Sequence, residues 1–316
     1  MAQYIATDIE LTSIANAIRN ITQSNEKLAF PNGFTNAIDE IGEQIANTPI
    51  PEEPDVYAKY TRDSGNHITA IKFHGFKEIP AGGEGTRTAP NKFFDKNNYL
   101  QTIDFSESPE LKIIERYAFN WCQNLTSIEF PDNEHSNLKT IEERAFIQCN
   151  ALANTLLPNS ITDIGLGAFS ACSNLALTKL PDNLVNLEES AFYNCKHLNI
   201  TTVPSGVTEL KDWTFYMCGH VDSNTGIGTG LEHFIIPATV KKLGNQVFNT
   251  CANLKTVIFE GTPESIGSYV FGYCKNLTDI YVPWSEGTFT AIEEEWKDKD
   301  VTHTTNSVTI HYNYTE

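Results

Sequence analysis

One eight-residue frame recurs seven times and constrains this chain more than any other feature. "AFNWCQNL" begins at 118, "AFIQCNAL" at 145, "AFSACSNL" at 168, "AFYNCKHL" at 191, "TFYMCGHV" at 214, "VFNTCANL" at 247 and "VFGYCKNL" at 270. All seven cysteines sit in these frames, at spacings of 27, 23, 23, 23, 33 and 23 residues. A fixed period between about 20 and 50 residues marks a solenoid. Phe stands three residues before each Cys, and Leu or Val three after. Short alternating segments follow, often closed by Pro, as in "IEFP" (128–131), "TKLP" (178–181), "TTVP" (201–204) and "IYVP" (280–283). A degenerate eighth copy precedes them, with Phe94, Asn97, Leu100 and then "IDF" at 103–105.

Each unit supplies a strand, a turn and a second apolar segment such as "VTEL" (207–210). One such unit cannot bury its own apolar edge, but stacked units share a continuous core. The expected fold is a mainly β repeat solenoid of seven to eight coils of about 23 residues, with a small N-terminal helical module. At about 4.8 Å per coil the slab is roughly 40 Å long. The cysteines then form an internal ladder, where Cys serves as a small hydrophobe with a weak donor. Zinc would need clustered C-x-x-C pairs. Disulfides would need an even number, and a thiol nucleophile would need a constant His partner. None of these is present, so no metal site and no catalytic residue is expected, and Asn97 in the first frame fits a small semi-polar slot.

The pattern resembles the BspA-like, or Treponema-type, leucine-rich repeats, whose units read L-x-x-I-x-L-P followed by I-x-x-x-A-F-x-x-C. The resemblance spans residues 91–284. It implies a leucine-rich repeat solenoid whose strand-lined face is used for binding and not for catalysis. Two steps depart from the period. The 33-residue step carries about ten extra residues around "DSNTGIGTGL" (222–231), and the 27-residue step adds "NEHSN" (133–137). Such insertions map either to a working surface or to tolerated neutral loops.

The ends read differently. In residues 1–47, Thr7 and Glu10 make a capping box before Leu11, Ile14, Ala15 and Ile18. "FPNGF" (30–34) breaks the pattern, and Phe34, Ala37, Ile38, Ile41 and Ile45 form a second apolar helix face. Two short helices make a poor core alone, so this segment is read as an anchor or oligomerisation module, or else as a solenoid cap. Residues 48–90 hold a Pro-rich acidic spacer, "TPIPEEP", strand-like residues at 55–79 and a Gly-rich loop that lacks the Lys-Ser/Thr of a phosphate loop. Residues 285–316 read as a C-terminal cap: a short acidic helix at "AIEEEWKDKD", its "EEE" a solvated face, and a final strand at "SVTIHYNY". "ATDIELTSIANAIR" with "LAFPNGFTNAIDEI" resembles an N-terminal segment of structural proteins from phages of Gram-positive hosts, and "IYVPWSEG" with "VTIHYN" resembles repeat-protein endings from the same setting. The resemblance implies a virion protein such as a tail fibre, baseplate or head appendage.

The formal charge of -18 argues against a nucleic-acid partner. No apolar run reaches about 18 residues, so no membrane insertion is expected. The N-terminus lacks a cationic start followed by an apolar run, so no signal peptide is expected and folding in a reducing cytoplasm is. Eight scattered histidines form neither H-x-x-x-H nor H-E-x-x-H. No cofactor is expected. The candidate surface is the strand face. Counting five and seven residues after each Cys (after Asn97 in the first copy) as outward, and aligning across the ten extra residues of the 33-residue step, gives Thr102/Asp104, Ser127/Glu129, Asn154/Leu156, Leu177/Lys179, Ile200/Thr202, His233/Ile235, Thr256/Ile258 and Asp279/Tyr281. Leu156, Leu177, Ile200, Ile235, Ile258 and Tyr281 then make an apolar stripe, with Lys179 and His233 beside it. Such a stripe contacts a partner, is covered by another segment, or reflects strand preference alone. The expected function is a non-enzymatic, homo-oligomeric virion protein. It would be released by lysis, anchored to other virion proteins by its N-terminal module, and would bind a host-surface protein or glycan or a neighbouring subunit. The alternative is a bacterial surface adhesin of the BspA-like class.

Overall fold

The computed structural model describes residues 56–79, 96–298 and 308–315. The anchor residues Leu11, Ile14, Ile18, Phe34, Ile38 and Ile41 lie outside the described residues, as does Phe94. The rest is a stack of coils, numbered 1 to 7 by Cys122, Cys149, Cys172, Cys195, Cys218, Cys251 and Cys274.

Three surfaces run the length of the stack. The turn face is built by the Cys frames. Five residues and one residue before each Cys the backbone is left-handed, with φ between +51 and +62° in all seven coils. Apart from Gly167, these are side-chain-bearing residues, and each such conformation costs about 1 kcal/mol. What offsets the cost is a lateral amide ladder. Trp121 N–H donates to Ile147 O (2.8 Å), Gln148 to Ser170 (2.7 Å) and Ala171 to Tyr193 (2.7 Å), and the pattern continues to Thr250 and Gly272. Between these donors, each Phe N–H donates to the residue before the next coil's Phe, as Phe146 does to Ala168 O at 2.9 Å.

The Phe rings beneath are fully buried and stack from coil to coil at 5.3, 5.4, 5.6, 6.0, 5.5 and 5.8 Å between centroids. The cysteines line the same interior and are free thiols. From coil 2 onward each Sγ donates to the carbonyl of the previous coil's Phe, at 2.9–3.2 Å. A methyl-sized group with one weak donor is what this position needs. Asn97 instead closes its own turn, its Oδ1 accepting from the Tyr99 and Leu100 amides.

The strand face holds two sheets. The first is five-stranded: Tyr57–Arg62, Ile68–His74, Thr102–Glu107, Ser127–Glu129 and Asn154–Thr155, antiparallel at the first pair and parallel after it. The second is four-stranded and parallel: His233–Ile236, Thr256–Phe259, Asp279–Tyr281 and Thr309–His311. Coils 3 and 4, between them, contribute no strand to this face beyond one bridge, Thr202 to Ile235. A second row of two-residue strands, such as Thr140–Ile141 and Asp163–Ile164, runs along the third surface.

The ends are closed by aromatic rings. Phe73 of the opening hairpin stacks on Phe105 at 5.0 Å. At the other end the helix Thr290–Lys297 places Trp296 fully inside, parallel to Phe259 (5.8 Å) and edge-on to Phe271 (5.2 Å). Glu293 is not on a solvated face: it is 2% exposed. Its carboxylate accepts from Gly287 N–H (2.9 Å), Phe289 N–H (3.1 Å), Trp284 Nε1 (3.2 Å) and the Tyr312 hydroxyl (3.2 Å). The helix turns this carboxylate inward because the loop before it leaves unpaired amide donors there.

Candidate functional site

The strand face separates the candidate residues into three groups. Leu156 stands 85% exposed, Lys179 and His233 are exposed, and Ile235, Ile258 and Tyr281 are half-buried on the outer side. Leu177 and Ile200, expected outward, are buried at 4% and 1% exposure. The cause is a one-residue slip. Six residues after the Cys, or after Asn97 in the first copy, and with the ten extra residues of the 33-residue step set aside, the inward position holds Ile103, Ile128, Phe234, Val257 and Ile280 in the paired strands, but Thr178 and Thr201 in coils 3 and 4. In those two coils the apolar residue stands one place earlier. The chain bends to bury it, both threonines face solvent, and the ladder is lost. Coil 2 is intermediate: Thr155 stays inward by donating its hydroxyl to Ile128 O at 3.2 Å.

The stripe is therefore not contiguous. Its surviving part is an in-register row in the C-terminal sheet: Ile235 beside Ile258, Ile258 beside Tyr281, and Tyr281 beside His311. Tyr281 and His311 are stacked at 4.2 Å and 8°, and Tyr314 leans on Tyr281 at 4.9 Å. His311 Nε2 lies 2.7 Å from Asp279 Oδ1, a contact that holds the Asp279 carboxyl below its usual range. His311 and Tyr314 had no counterpart in the Cys count, because they follow the last frame. Beside the row, Glu232 bridges Lys255 at 2.6 Å and His233 at 3.6 Å. The N-terminal sheet presents a different surface. Lys72 pairs with Asp104 (3.1 Å) and Glu107 (2.9 Å), and His74 Nδ1 lies 3.3 Å from Glu107.

The 33-residue step is a built element. Its hairpin pairs Gly219 with Gly230 and Val221 with Gly228. Leu231, not Val221, fills the buried corner three places after the Cys in other coils. Gly230, at φ +79°, lies so close to Lys196 O that a Cβ would be 2.4 Å from it. Thr229 Oγ1 donates to the same carbonyl at 3.3 Å, and Asp222 Oδ1 caps the tip by accepting from the amides of Asn224 and Thr225. Ile227 projects from that tip, 65% exposed.

Among the described residues no three His, Cys, Asp or Glu side chains are placed to hold a metal ion, and no helix is long and apolar enough to cross a membrane. Burial pushes the thiols of Cys149, Cys172, Cys195, Cys218, Cys251 and Cys274 upward, away from the thiolate form that a nucleophile needs.

The repeat frame, the thiol ladder and the strand-lined face together define a leucine-rich repeat solenoid. The model of the BspA type leucine rich repeat region, six copies, matches residues 87–222 and 223–296, and the chain belongs to that family. Among solved structures it is similar to a leucine-rich repeat protein of T. pallidum, at 22% identity over 79% of this chain and 96% of that one, with a TM-score of 0.39. A leucine-rich repeat protein of Bacteroides ovatus matches at 19% identity over 84% and 79%, with a TM-score of 0.37. A leucine rich cell surface protein of Faecalibacterium prausnitzii matches at 17% over 84% and 96%, with a TM-score of 0.35. No curated protein is significantly similar to the chain.

Proposed function

We propose that this is a non-enzymatic recognition protein of a phage particle, whose C-terminal strand face docks on a host-surface component or a neighbouring virion subunit. The observation that carries the docking role is the outward-facing, half-buried in-register row Ile235, Ile258, Tyr281 and His311, a largely apolar strip on a chain of formal charge -18. Apolar strips of this kind on a sheet suit a protein partner. The buried, protonated thiols fit a role without covalent chemistry. The virion setting is supported by the phage-like phrases at 6–19, 28–41 and 280–287. A BspA-like surface adhesin is the second reading, favoured by the family itself.

Two measurements test this. Mass spectrometry of purified particles, with antibody labelling in the electron microscope, should find the chain at a tail tip or head spike. Its presence on bacterial cells and absence from particles would favour the adhesin. Ile258→Lys and Tyr281→Ala should each abolish attachment to host cells or particles while leaving the circular dichroism spectrum unchanged. Undiminished attachment by both variants would remove the strand face from the proposal.

A further inference from the structure

The turn face of the same coils carries a notch at coil 3. Two residues before the Cys, coils 2 to 5 present Ile147, Ser170, Tyr193 and Tyr216 in a row. Tyr193 and Tyr216 stack at 4.9 Å with their planes 2° apart. Stacking between neighbouring coils sets the rings across the solenoid axis, so the second face of Tyr193 looks toward coil 3. There the row holds only Ser170, between Gly167 and Ala171. A space of about 280 Å³ results, with Ile147 as its far wall and Arg144, Glu189 and Ser190 at its rim.

The dimensions select a ring. The underlying Phe rings advance 5.4 and 5.6 Å over the two coil steps from coil 2 to coil 4. The coils that carry Ile147 and Tyr193 are therefore about 11 Å apart at the Phe stack, and two van der Waals contacts of about 4 Å each leave room for one puckered saturated ring between them. The polar groups select its substituents. Ser170, Ser190 and Glu189 line the space, so hydroxyls on the ring edge find donors and acceptors. The charge balance selects against an anion. Arg144 Nη1 is held by Glu143 Oε1 (2.8 Å) and the Tyr117 hydroxyl (2.6 Å), with its guanidinium 5.7 Å over the Tyr117 ring, while Glu189 adds a carboxylate at the mouth.

We propose that this notch binds one neutral hexopyranose unit of a glycan, its C–H face against Tyr193 and its hydroxyls on Ser170, Ser190 and Glu189. The site is separate from the strand face and does not depend on the docking role assigned there. A single stacked ring gives weak affinity, on the order of 1 mM.

The test is saturation-transfer NMR on the full chain with about 10 mM methyl glucopyranoside, galactopyranoside or mannopyranoside. Methyl glucuronide serves as the anionic comparison and indole as the planar aromatic one. At least one neutral glycoside should show transfer concentrated on the C–H protons of one ring face, stronger than that to the glucuronide or indole. Tyr193→Ala should weaken it at least tenfold. Ser170→Tyr, which extends the aromatic row into the notch and removes no core group, should abolish it while preserving the fold. Absence of transfer from all three neutral glycosides overturns the proposal. So does transfer unchanged by Ser170→Tyr, or stronger transfer to indole or the glucuronide than to every neutral glycoside.

Discussion

The turn face and the strand face belong to the same coils and behave differently. The turn face is continuous through all seven: amide donors, thiol and Phe ring repeat without a gap. The strand face lets go for two coils in the middle. The turn is specified by backbone geometry, two left-handed residues four apart, and tolerates Gln, Trp, Met or Thr at those places because the amide does the bonding. A strand is specified by which of two adjacent residues is apolar, and exchanging them redirects the chain. In this solenoid the turn face, helped by the short parallel pair Asp163–Ile164 and Asn186–Leu187 on the third surface, therefore holds coils 3 and 4 in the stack, and the strand face follows where its alternation permits.

The most damaging test removes a ring from the continuous face where the other face is absent. Phe169→Ala, in coil 3, should cost about 3–5 kcal/mol, the usual loss for an emptied aromatic site in a core. Denaturant unfolding measures it. A loss below about 1 kcal/mol would mean that the turn face does not carry the central coils. Next in size is Glu293→Gln at the C-terminal cap. The buried carboxylate has its pKa lowered overall: burial alone would raise it, but donors from Gly287, Phe289, Trp284 and Tyr312 outweigh that. A depressed carboxylate stabilises the fold above its ordinary titration range, near pH 4, and that contribution is lost as pH falls through the folded value. Glu293→Gln should cost about 2–3 kcal/mol at neutral pH. It should also flatten the acid limb of stability against pH; an acid limb as steep as the parent's would assign the acid sensitivity to other carboxylates.

The thiols give a finer comparison. Cys172→Ala in coil 3 and Cys251→Ala in coil 6 each remove one bond to a Phe carbonyl and one sulfur from a packed slot. Each should cost about 1–2 kcal/mol. Equal costs would show the turn face to be uniform along the stack. A cost confined to coil 6 would show that coils 3 and 4 are loose on both faces.

The sequence showed these two faces unequally. The turn face was legible because its requirements are absolute: a ring, a small thiol and a Leu at fixed offsets leave a period that survives variation elsewhere. That the thiols donate to the carbonyl of the preceding Phe was not legible, because it depends on the distance between coils. Counting from the Cys gives the strand face a single register throughout. The warning was present in the pairs Leu177–Thr178 and Ile200–Thr201, where the apolar residue stands first, against Ser127–Ile128 or Thr256–Val257, where it stands second. Leu231 hid behind Val221 because Val221 alone stands three places after the Cys, while the hairpin between them carries Leu231 into the buried corner. Glu293 lay in an acidic run, and burial there depends on amide donors of the preceding loop that no spacing reveals.

The smallest effect in energy is the sharpest test of this difference. Leu177→Thr combined with Thr178→Ile restores the order found in coil 1, polar five residues after the Cys and apolar six after. One apolar side chain leaves the core and one enters, so the net stability should change by less than about 1 kcal/mol. Leu177→Thr alone vacates the site and should cost about 2–3 kcal/mol. The structural consequence is larger than the energetic one. With its apolar residue moved, the segment 177–179 can lie flat beside Asn154–Thr155 and offer that strand the backbone partner it lacks, extending the five-stranded sheet by one. Hydrogen exchange would report this as slowed amides at 177–180 in the double variant. Exchange as fast as in the parent would mean that the order of two residues does not govern the break. The cause would then lie in neighbours such as Ala176 or the Lys179–Asp182 pair at 3.1 Å, which fixes the bend from outside.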